Sequence, residues 1–192
     1  MTEGKKKWTV EFNAPVVLVF SLIAAAALIL GFITRNYTTN LLFSVYQSSL
    51  LDPLTYVRMI GHVFGHANIG HLAGNLMIIL LVGPSVEKRY GSLKTVIVIL
   101  VTALVTGLVH FIFFPGTALL GASGVAFAFI ILSSLAEFKQ HRIPVTFLLV
   151  AALYLGQQII GLFQQDSVSQ LTHILGGVVG GVFGFLWKEK KA

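Results

Sequence analysis

The sequence predicts an all-α, polytopic membrane protein whose helices cross the bilayer six times. Hydrophobic residues make up 56% of the chain and charged residues only 10%, a balance too apolar for an ordinary soluble domain. Mean hydropathy is +0.87, and several apolar runs are long enough to span a membrane. The charged residues flank these runs. One integral membrane domain is therefore expected.

The predicted spans follow the apolar runs in chain order. The first run follows Lys5-Lys6-Lys7 and is similar to a signal peptide, but its length of about twenty residues and the later spans indicate an uncleaved helix. The spans are Ala14–Ile33, Ile69–Ser85, Leu93–Phe114, Gly124–Phe138, Pro144–Phe163 and Leu171–Trp187. Residues 1–13 form an N-terminal segment, 14–187 the membrane domain and 188–192 a tail. The long outer connection, 34–68, is expected to be functional or bound at the membrane interface.

The positions of Lys and Arg predict the orientation. Six spans place both termini on one side, and all Lys and Arg residues except Arg35 and Arg58 fall on that side. Short cytoplasmic loops carry such an excess, so both termini are expected in the cytoplasm. The net charge of +6 does not indicate a nucleic-acid partner, because the basic residues form no stripe with interleaved aromatics. The absence of cysteine excludes disulfides and thiol catalysis.

Three polar side chains from three predicted helices share one depth. With a rise of about 1.5 Å per residue, Ser123 lies about 23 Å above the inner surface, His173 about 22 Å and Asn75 about 20 Å. This level is below the outer edge of a hydrocarbon core of ~30 Å. Ionisable and polar groups at such depth are costly and mark functional sites. Water would reach them through a cavity.

Ser123 and His173 have the chemistry of a nucleophile and its general base. No predicted membrane segment supplies an orienting carboxylate, so the expectation is a Ser–His dyad. Gly176 and Gly180, after the histidine, follow a small-xxx-small pattern that lets a neighbouring helix approach closely.

His71 and Asn75 lie four residues apart, hence on one helical face. Together with the backbone N–H of Ser123, their side chains are suited to stabilise an oxyanion. His66 precedes the span by one turn and is expected nearer the surface, with less influence on activity.

Other kinds of site and function would need different residues. His62, His66 and His71 could ligate a metal, but their spacing is not His-Glu-x-x-His and no carboxylate is near, so neither metal nor cofactor is expected. A transporter or channel would need polar groups in the inner halves of the helices, which are almost entirely apolar. A non-catalytic binder of membrane helices is the remaining alternative. His110 and His141 are interpreted as interfacial residues without a role.

These motifs, taken in order, resemble the rhomboid intramembrane serine proteases. The resemblance extends from Tyr56 onward and includes Gly-Ala-Ser-Gly at residues 121–124 and His173 followed by Gly176 and Gly180. It also rests on Arg58, His62, His66, His71 and Asn75 before and within the second span, and on Gly83 and Glu87-Lys88-Arg89-Tyr90-Gly91 at its end. Phe127 departs from the pattern, because many members have a tyrosine there.

The resemblance implies a six-helix rhomboid-like bundle in a bacterial cytoplasmic membrane. It implies peptide-bond hydrolysis in transmembrane protein substrates near their extracytoplasmic end, with Ser123 attacking and His173 accepting its proton. His71, Asn75 and the Ser123 N–H would hold the oxyanion. Supporting roles are implied for Arg58, His66, Glu87, Gly121, Phe127, Gly176 and Gly180. The fifth helix and the loop Gly161–Gln170 would act as gate and cap, and the oligomeric state stays open.

Overall fold

The computed structural model describes residues 11–138, 145 and 167–187, and these residues are predominantly α-helical. The elements are α1 (Pro15–Ile33), α2 (Tyr37–Leu42), α3 (Pro53–Gly61), a 3₁₀ turn (His62–Phe64), α4 (Ile69–Tyr90), α5 (Ser92–Phe113), α6 (Ser123–Phe138) and α7 (Ser167–Leu186). The all-α class is confirmed for this part of the chain. The predicted span Pro144–Phe163 lies outside the described residues except for Val145.

Within these ranges, α1, α4 and α5 are long and apolar enough to cross a membrane. Shorter apolar stretches lie in α6, at Ser123–Leu135, and in α7, at Gln170–Leu186. Large apolar side chains point outward from the long helices, for example Leu22, Leu81 and Leu93, which are 69–79% exposed. Such a surface is suited to lipid rather than to water. The count of six spans remains a prediction.

Two helices extend beyond their predicted bounds. α4 continues past Ser85 to Tyr90, with Pro84 inside the helix, and ends where Gly91 adopts φ 87°. α7 begins at Ser167 rather than Leu171. The last four residues of the predicted cap loop, 167–170, are therefore helical, while residues 161–166 lie outside the described range.

Glu87 lies in the part of α4 beyond its apolar stretch and is bonded to two other helices. Its carboxylate is buried, and its two oxygens accept hydrogen bonds from the backbone N–H groups of Val16 and Val17, each at 3.1 Å. These first-turn donors have no partner inside α1, and the negative charge suits the N-terminal end of a helix. Ser92 Oγ donates to the same carboxylate at 2.7 Å. Glu87 thus joins the beginnings of α1 and α5 to the end of α4.

The core forms where α1, α4 and α6 meet. Val17 of α1, Ile79 of α4, and Phe129 and Leu132 of α6 are fully buried within one apolar cluster. Because lipid is as apolar as these side chains, close packing rather than water exclusion holds such helices together. This packing fixes α4 against α6, the two helices that carry Asn75 and Ser123.

The connection predicted as a long outer loop, 34–68, is largely folded. It contains α2, α3 and the 3₁₀ turn, and its middle pairs with the segment before α6 through a two-bond bridge between Val45 and Leu119. Both N–H···O distances of this bridge are 2.9 Å.

Arg58 organises the same connection from within. The side chain is 3% exposed and forms an ion pair with Asp52 at 2.8 Å. The guanidinium also donates to Ser48 Oγ at 3.0 Å and to Thr55 Oγ1 at 3.1 Å, and it lies 4.7 Å from the ring centroid of Tyr46. A buried cation needs partners of this kind, and their hydrogen bonds all meet one terminal nitrogen, while Nε has no partner among the described residues. Arg58 therefore supports the outer segment, at a distance in sequence from the nucleophile.

Candidate active site

Ser123 is the first residue of α6 and follows a short extended segment. Gly121 adopts φ 132°, in the left-handed region that favours glycine. Its N–H donates to the His62 carbonyl at 2.9 Å, and the Ala122 N–H points to His66 Nε2 at 3.4 Å. Ser123 itself is half-buried. Its own N–H belongs to the first turn of a helix, where backbone donors lack intrahelical partners.

His71 and Asn75 both face this segment from α4. A Cβ placed on Gly121 would lie 2.8 Å from His71 Nε2 and 3.6 Å from Asn75 Nδ2. The two side chains predicted to share a helical face therefore meet beside Gly121, two residues before Ser123. Asn68 Oδ1 accepts from the His71 N–H at 2.8 Å and caps the start of α4. This cap fixes the start of the helix that carries His71 and Asn75.

His66 is enclosed by protein next to the segment that precedes Ser123. The residue is 2% exposed, while its expected position nearer the membrane surface remains a prediction. Its Nδ1 is 3.1 Å from the Phe64 carbonyl, which only accepts, so Nδ1 carries the proton. Nε2 is then an acceptor for the Asn75 amide, at 3.1 Å, and for the Ala122 N–H. Tertiary contacts with α4 and the Ser123 segment bury this residue, which no helical periodicity could predict.

The bond from His66 determines how the Asn75 amide is oriented. Since Nε2 of His66 accepts, the NH2 group of Asn75 must point toward it, and the same nitrogen lies beside Gly121. Burial lowers the pKa of His66 to about 4, with a smaller contribution from the neighbouring His71. The ring is therefore neutral at pH 7, as an acceptor on Nε2 requires. His66 therefore orients the Asn75 amide and contacts the backbone N–H of Ala122, directly before the serine.

His173 lies on α7, half-buried, with its ring against α6. Its imidazole stacks on the Phe127 ring with centroids 4.7 Å apart and planes inclined by 9°. Phe127 is one turn after Ser123 on α6, so the contact places the histidine beside the first turn of that helix. A Cβ on Gly124 would lie 3.3 Å from Thr172 Cγ2, which places the start of α7 at the same level.

The backbones of α6 and α7 touch where the two glycines occur. A Cβ on Gly176 would clash with the carbonyl of Gly124, and one on Gly180 would clash with the carbonyl of Ala128. Any side chain at either position would push α7 away from α6. The structure thus has the close approach that the small-xxx-small pattern predicted, and it carries His173 toward the start of α6.

Among the described residues, the two carboxylates of Asp52 and Glu87 are bonded to groups away from Ser123. Asp52 is engaged by Arg58, and Glu87 by the N-terminus of α1, at the end of α4 opposite to His71. Among the residues the structure describes, no group of three or more His, Asp or Glu side chains could hold a metal ion. Both ring nitrogens of His66 are occupied by hydrogen bonds. The arrangement is suited to nucleophilic chemistry at Ser123 with proton transfer to a histidine.

Two further histidines contact the segment before Ser123. His62, which the resemblance already includes, is fully buried; its carbonyl accepts the Gly121 N–H, and its ring Nε2 lies 3.1 Å from the Ala103 carbonyl of α5. His110, predicted to be an interfacial residue without a role, is 2% exposed and contacts Thr117. For His110, only its polarity within an apolar run could have indicated a role.

Sequence comparison with known proteins gives a family match. The model of the Rhomboid domain family matches residues 53–190, more than half of the chain. The chain is 29% identical over 186 residues to Rhomboid protease GluP of Bacillus subtilis, covering 94% of this chain and 34% of that protein. It is 31% identical over 140 residues to Rhomboid-related protein 1 of Caenorhabditis elegans, covering 67% of this chain and 39% of that protein.

A third similar protein is closer in length. Rhomboid protease GlpG of Haemophilus influenzae is 26% identical over 132 residues, 67% of this chain and 68% of that protein. The chain spans only about a third to two-fifths of the first two relatives. The family match begins at α3 and includes the Ser123 segment, α4 and α7. Together with the apolar helices, it shows that this chain is an integral membrane protein of the rhomboid family.

Proposed function

We propose that the protein is an intramembrane serine endopeptidase that cleaves transmembrane proteins near the extracytoplasmic ends of their membrane segments. The proposal places catalysis in a Ser123–His173 dyad. The observation that carries it is the stacking of His173 on Phe127, one turn from Ser123 on the same helix. The position of His71 and Asn75 beside Gly121 is a second, independent support.

In this mechanism, Ser123 Oγ attacks the scissile carbonyl carbon while His173 takes the hydroxyl proton. The negative charge that develops on the carbonyl oxygen is stabilised by His71, Asn75 and the Ser123 N–H. His173 then returns the proton to the leaving amine as the C–N bond breaks, which leaves an acyl ester on Ser123. Water attacks this ester and gives a proton to His173. His173 passes that proton to Ser123 Oγ as the ester C–O bond breaks, which releases the new carboxyl terminus and restores the serine.

The site's depth suggests how substrate and water arrive. The proposed orientation has both termini in the cytoplasm, as the Lys and Arg distribution predicts, in a bacterial cytoplasmic membrane. Ser123 would then face an outward-opening recess, so cleavage would occur in the outer half of the substrate segment. No cofactor enters the mechanism.

The test uses the full-length protein in liposomes with a model transmembrane substrate. Ser123→Ala is expected to abolish cleavage while the melting temperature stays within a few degrees of wild type, because only the nucleophilic oxygen is removed. His173→Ala should be similarly inactive, and the double variant no worse than either, since the two residues act as one unit. Cleavage by Ser123→Ala near the wild-type rate would disprove the serine mechanism. A folded wild-type protein that binds but never cleaves membrane helices would favour the non-catalytic alternative.

A further inference from the structure

His110 is a buried histidine that the proposed mechanism does not use. It lies in the last turn of α5 and is 2% exposed. Its ring stacks on Phe114, with centroids 5.6 Å apart and planes inclined by 12°. Its Nε2 is 3.2 Å from the Thr117 carbonyl. A carbonyl only accepts, so Nε2 carries the hydrogen and donates.

The Nδ1 atom of the same ring has no hydrogen-bond partner within the described part of the chain. An imidazole with one bare, buried nitrogen is costly in a membrane helix, where an apolar residue would be favoured. The bond that Nε2 makes to Thr117 is the contact that accounts for a histidine at this position. Its acceptor lies outside α5, in the segment that leads to Ser123.

That segment, residues 114–122, is held at alternate residues from three sides. Leu119 pairs with Val45 through two 2.9 Å bonds, and Gly121 donates to the His62 carbonyl at 2.9 Å. The Thr117 carbonyl accepts a hydrogen bond from the His110 ring N–H. The part between α5 and Thr117 contains Pro115, which has no N–H, and Gly116, at φ 82°. Within this turn, the Thr117 N–H and hydroxyl both donate to the Phe114 carbonyl, at 3.4 and 3.0 Å, and the His110 ring adds a bond from α5 to the Thr117 carbonyl.

We propose that His110 is a positioning residue for the segment that carries the nucleophile, which it holds through the Thr117 carbonyl. The inference rests on the proposed protease function for its effect on turnover, but its structural part stands alone. Without the His110 bond, Thr117 keeps only its bonds to Phe114 within the same turn, and the segment gains room to shift between α5 and Leu119. Gly121 and the Ser123 N–H would then move relative to His71 and Asn75, the groups proposed to hold the oxyanion.

Three variants separate this role from simple packing. His110→Phe keeps an aromatic ring on Phe114 and removes the donor, whereas His110→Gln supplies an amide N–H at a similar reach. Phe113→Leu, on the lipid-facing side of the same turn and 67% exposed, is the matched control. For His110→Phe, kcat is expected to fall roughly tenfold with KM within about twofold, because a small displacement acts on the transition state. His110→Gln should recover most of kcat, and Phe113→Leu should match wild type.

Amide hydrogen exchange gives a readout that does not require catalysis. In His110→Phe, the amides of Leu119 and Gly121 should exchange at least several times faster, while those in the middle of α4 stay protected. The same difference is expected in an inactive Ser123→Ala background. If Ser123→Ala still cleaved substrate, the protease mechanism would fail, and exchange would still decide the role of His110.

Unchanged exchange and unchanged kcat in His110→Phe would overturn the proposal. So would a His110→Gln variant that is no better than His110→Phe, since donation to Thr117 would then not matter. Should His110→Phe fail to fold, His110→Met replaces it as the variant without a donor. The same comparison with His110→Gln then applies, with the same two decisive outcomes.

Discussion

The imidazole of His173 lies parallel to the phenyl ring of Phe127, with the ring centroids 4.7 Å apart. The two residues come from different helices, α7 and α6, and Phe127 is itself 6% exposed. This parallel contact fixes the plane of the His173 ring. The stacking therefore limits how the histidine presents its nitrogens toward the first turn of α6.

Replacing Phe127 by leucine should lower turnover without loss of fold. The stacking of two rings contributes about 0.5–1.5 kcal/mol beyond burial, so we expect kcat for Phe127→Leu to fall by roughly two- to tenfold. Phe127→Tyr keeps the ring and is expected to retain more activity than the leucine variant. Steady-state cleavage of a transmembrane substrate measures both. A leucine variant as active as wild type would show that the contact does not orient His173.

His66→Ala should be nearly as damaging as Asn75→Ala, because His66 Nε2 holds the Asn75 amide and the Ala122 N–H. Loss of one oxyanion donor typically costs on the order of a hundredfold in kcat. We expect both variants to approach that loss, with KM little changed. Gly74→Ala is the control on the same helix, since a Cβ there meets nothing within 4 Å. A fully active His66→Ala protein with an unchanged melting temperature would contradict this role.

Four of the five glycines of α7 should separate into two pairs. In Gly176→Ala and Gly180→Ala, the new methyl group meets the backbone of Gly124 or Ala128, and forcing apart a packed contact costs roughly 1–3 kcal/mol. In Gly177→Ala and Gly181→Ala, the nearest atoms belong to Ile131, at 3.6 and 3.9 Å, an ordinary contact. Unfolding by denaturant in mixed micelles should show destabilisation for the first pair and little or none for the second. Equal effects on both pairs would mean that the helices do not touch at these points.

Stability should decrease as the pH falls from about 6.5 toward 4. Burial lowers the pKa values of both His62 and His66 from 6.5 to about 4. The unfolded chain therefore binds more protons than the folded one within this window, and stability present above pH 6.5 is lost on acidification. The loss approaches roughly 3 kcal/mol per histidine at the acidic end. Melting temperatures from pH 7 to 4.5 test this, and His66→Gln should show a shallower decline. A flat profile for the wild type would argue against neutral, buried rings.

Some features of this protein follow from local sequence alone. Hydropathy predicts α1, α4 and α5 because a membrane span is a property of one continuous apolar segment. The 3.6-residue period places His71 and Asn75 on one face before any neighbour is known. The small residues at 176 and 180 likewise predict a close helix contact, since only they leave room for a second backbone.

Other features depend on how the helices pack against one another. His66 lies in a short connection without periodicity, so its burial and its bond to Asn75 depend on where α4 meets the Ser123 segment. Glu87 could be read as a charge at a helix end, yet its carboxylate caps α1, seventy residues earlier in the chain. His110 gained its partner from the turn that follows α5. In each case a polar group buried in an apolar environment must find a partner, and which partner it finds is set by tertiary structure.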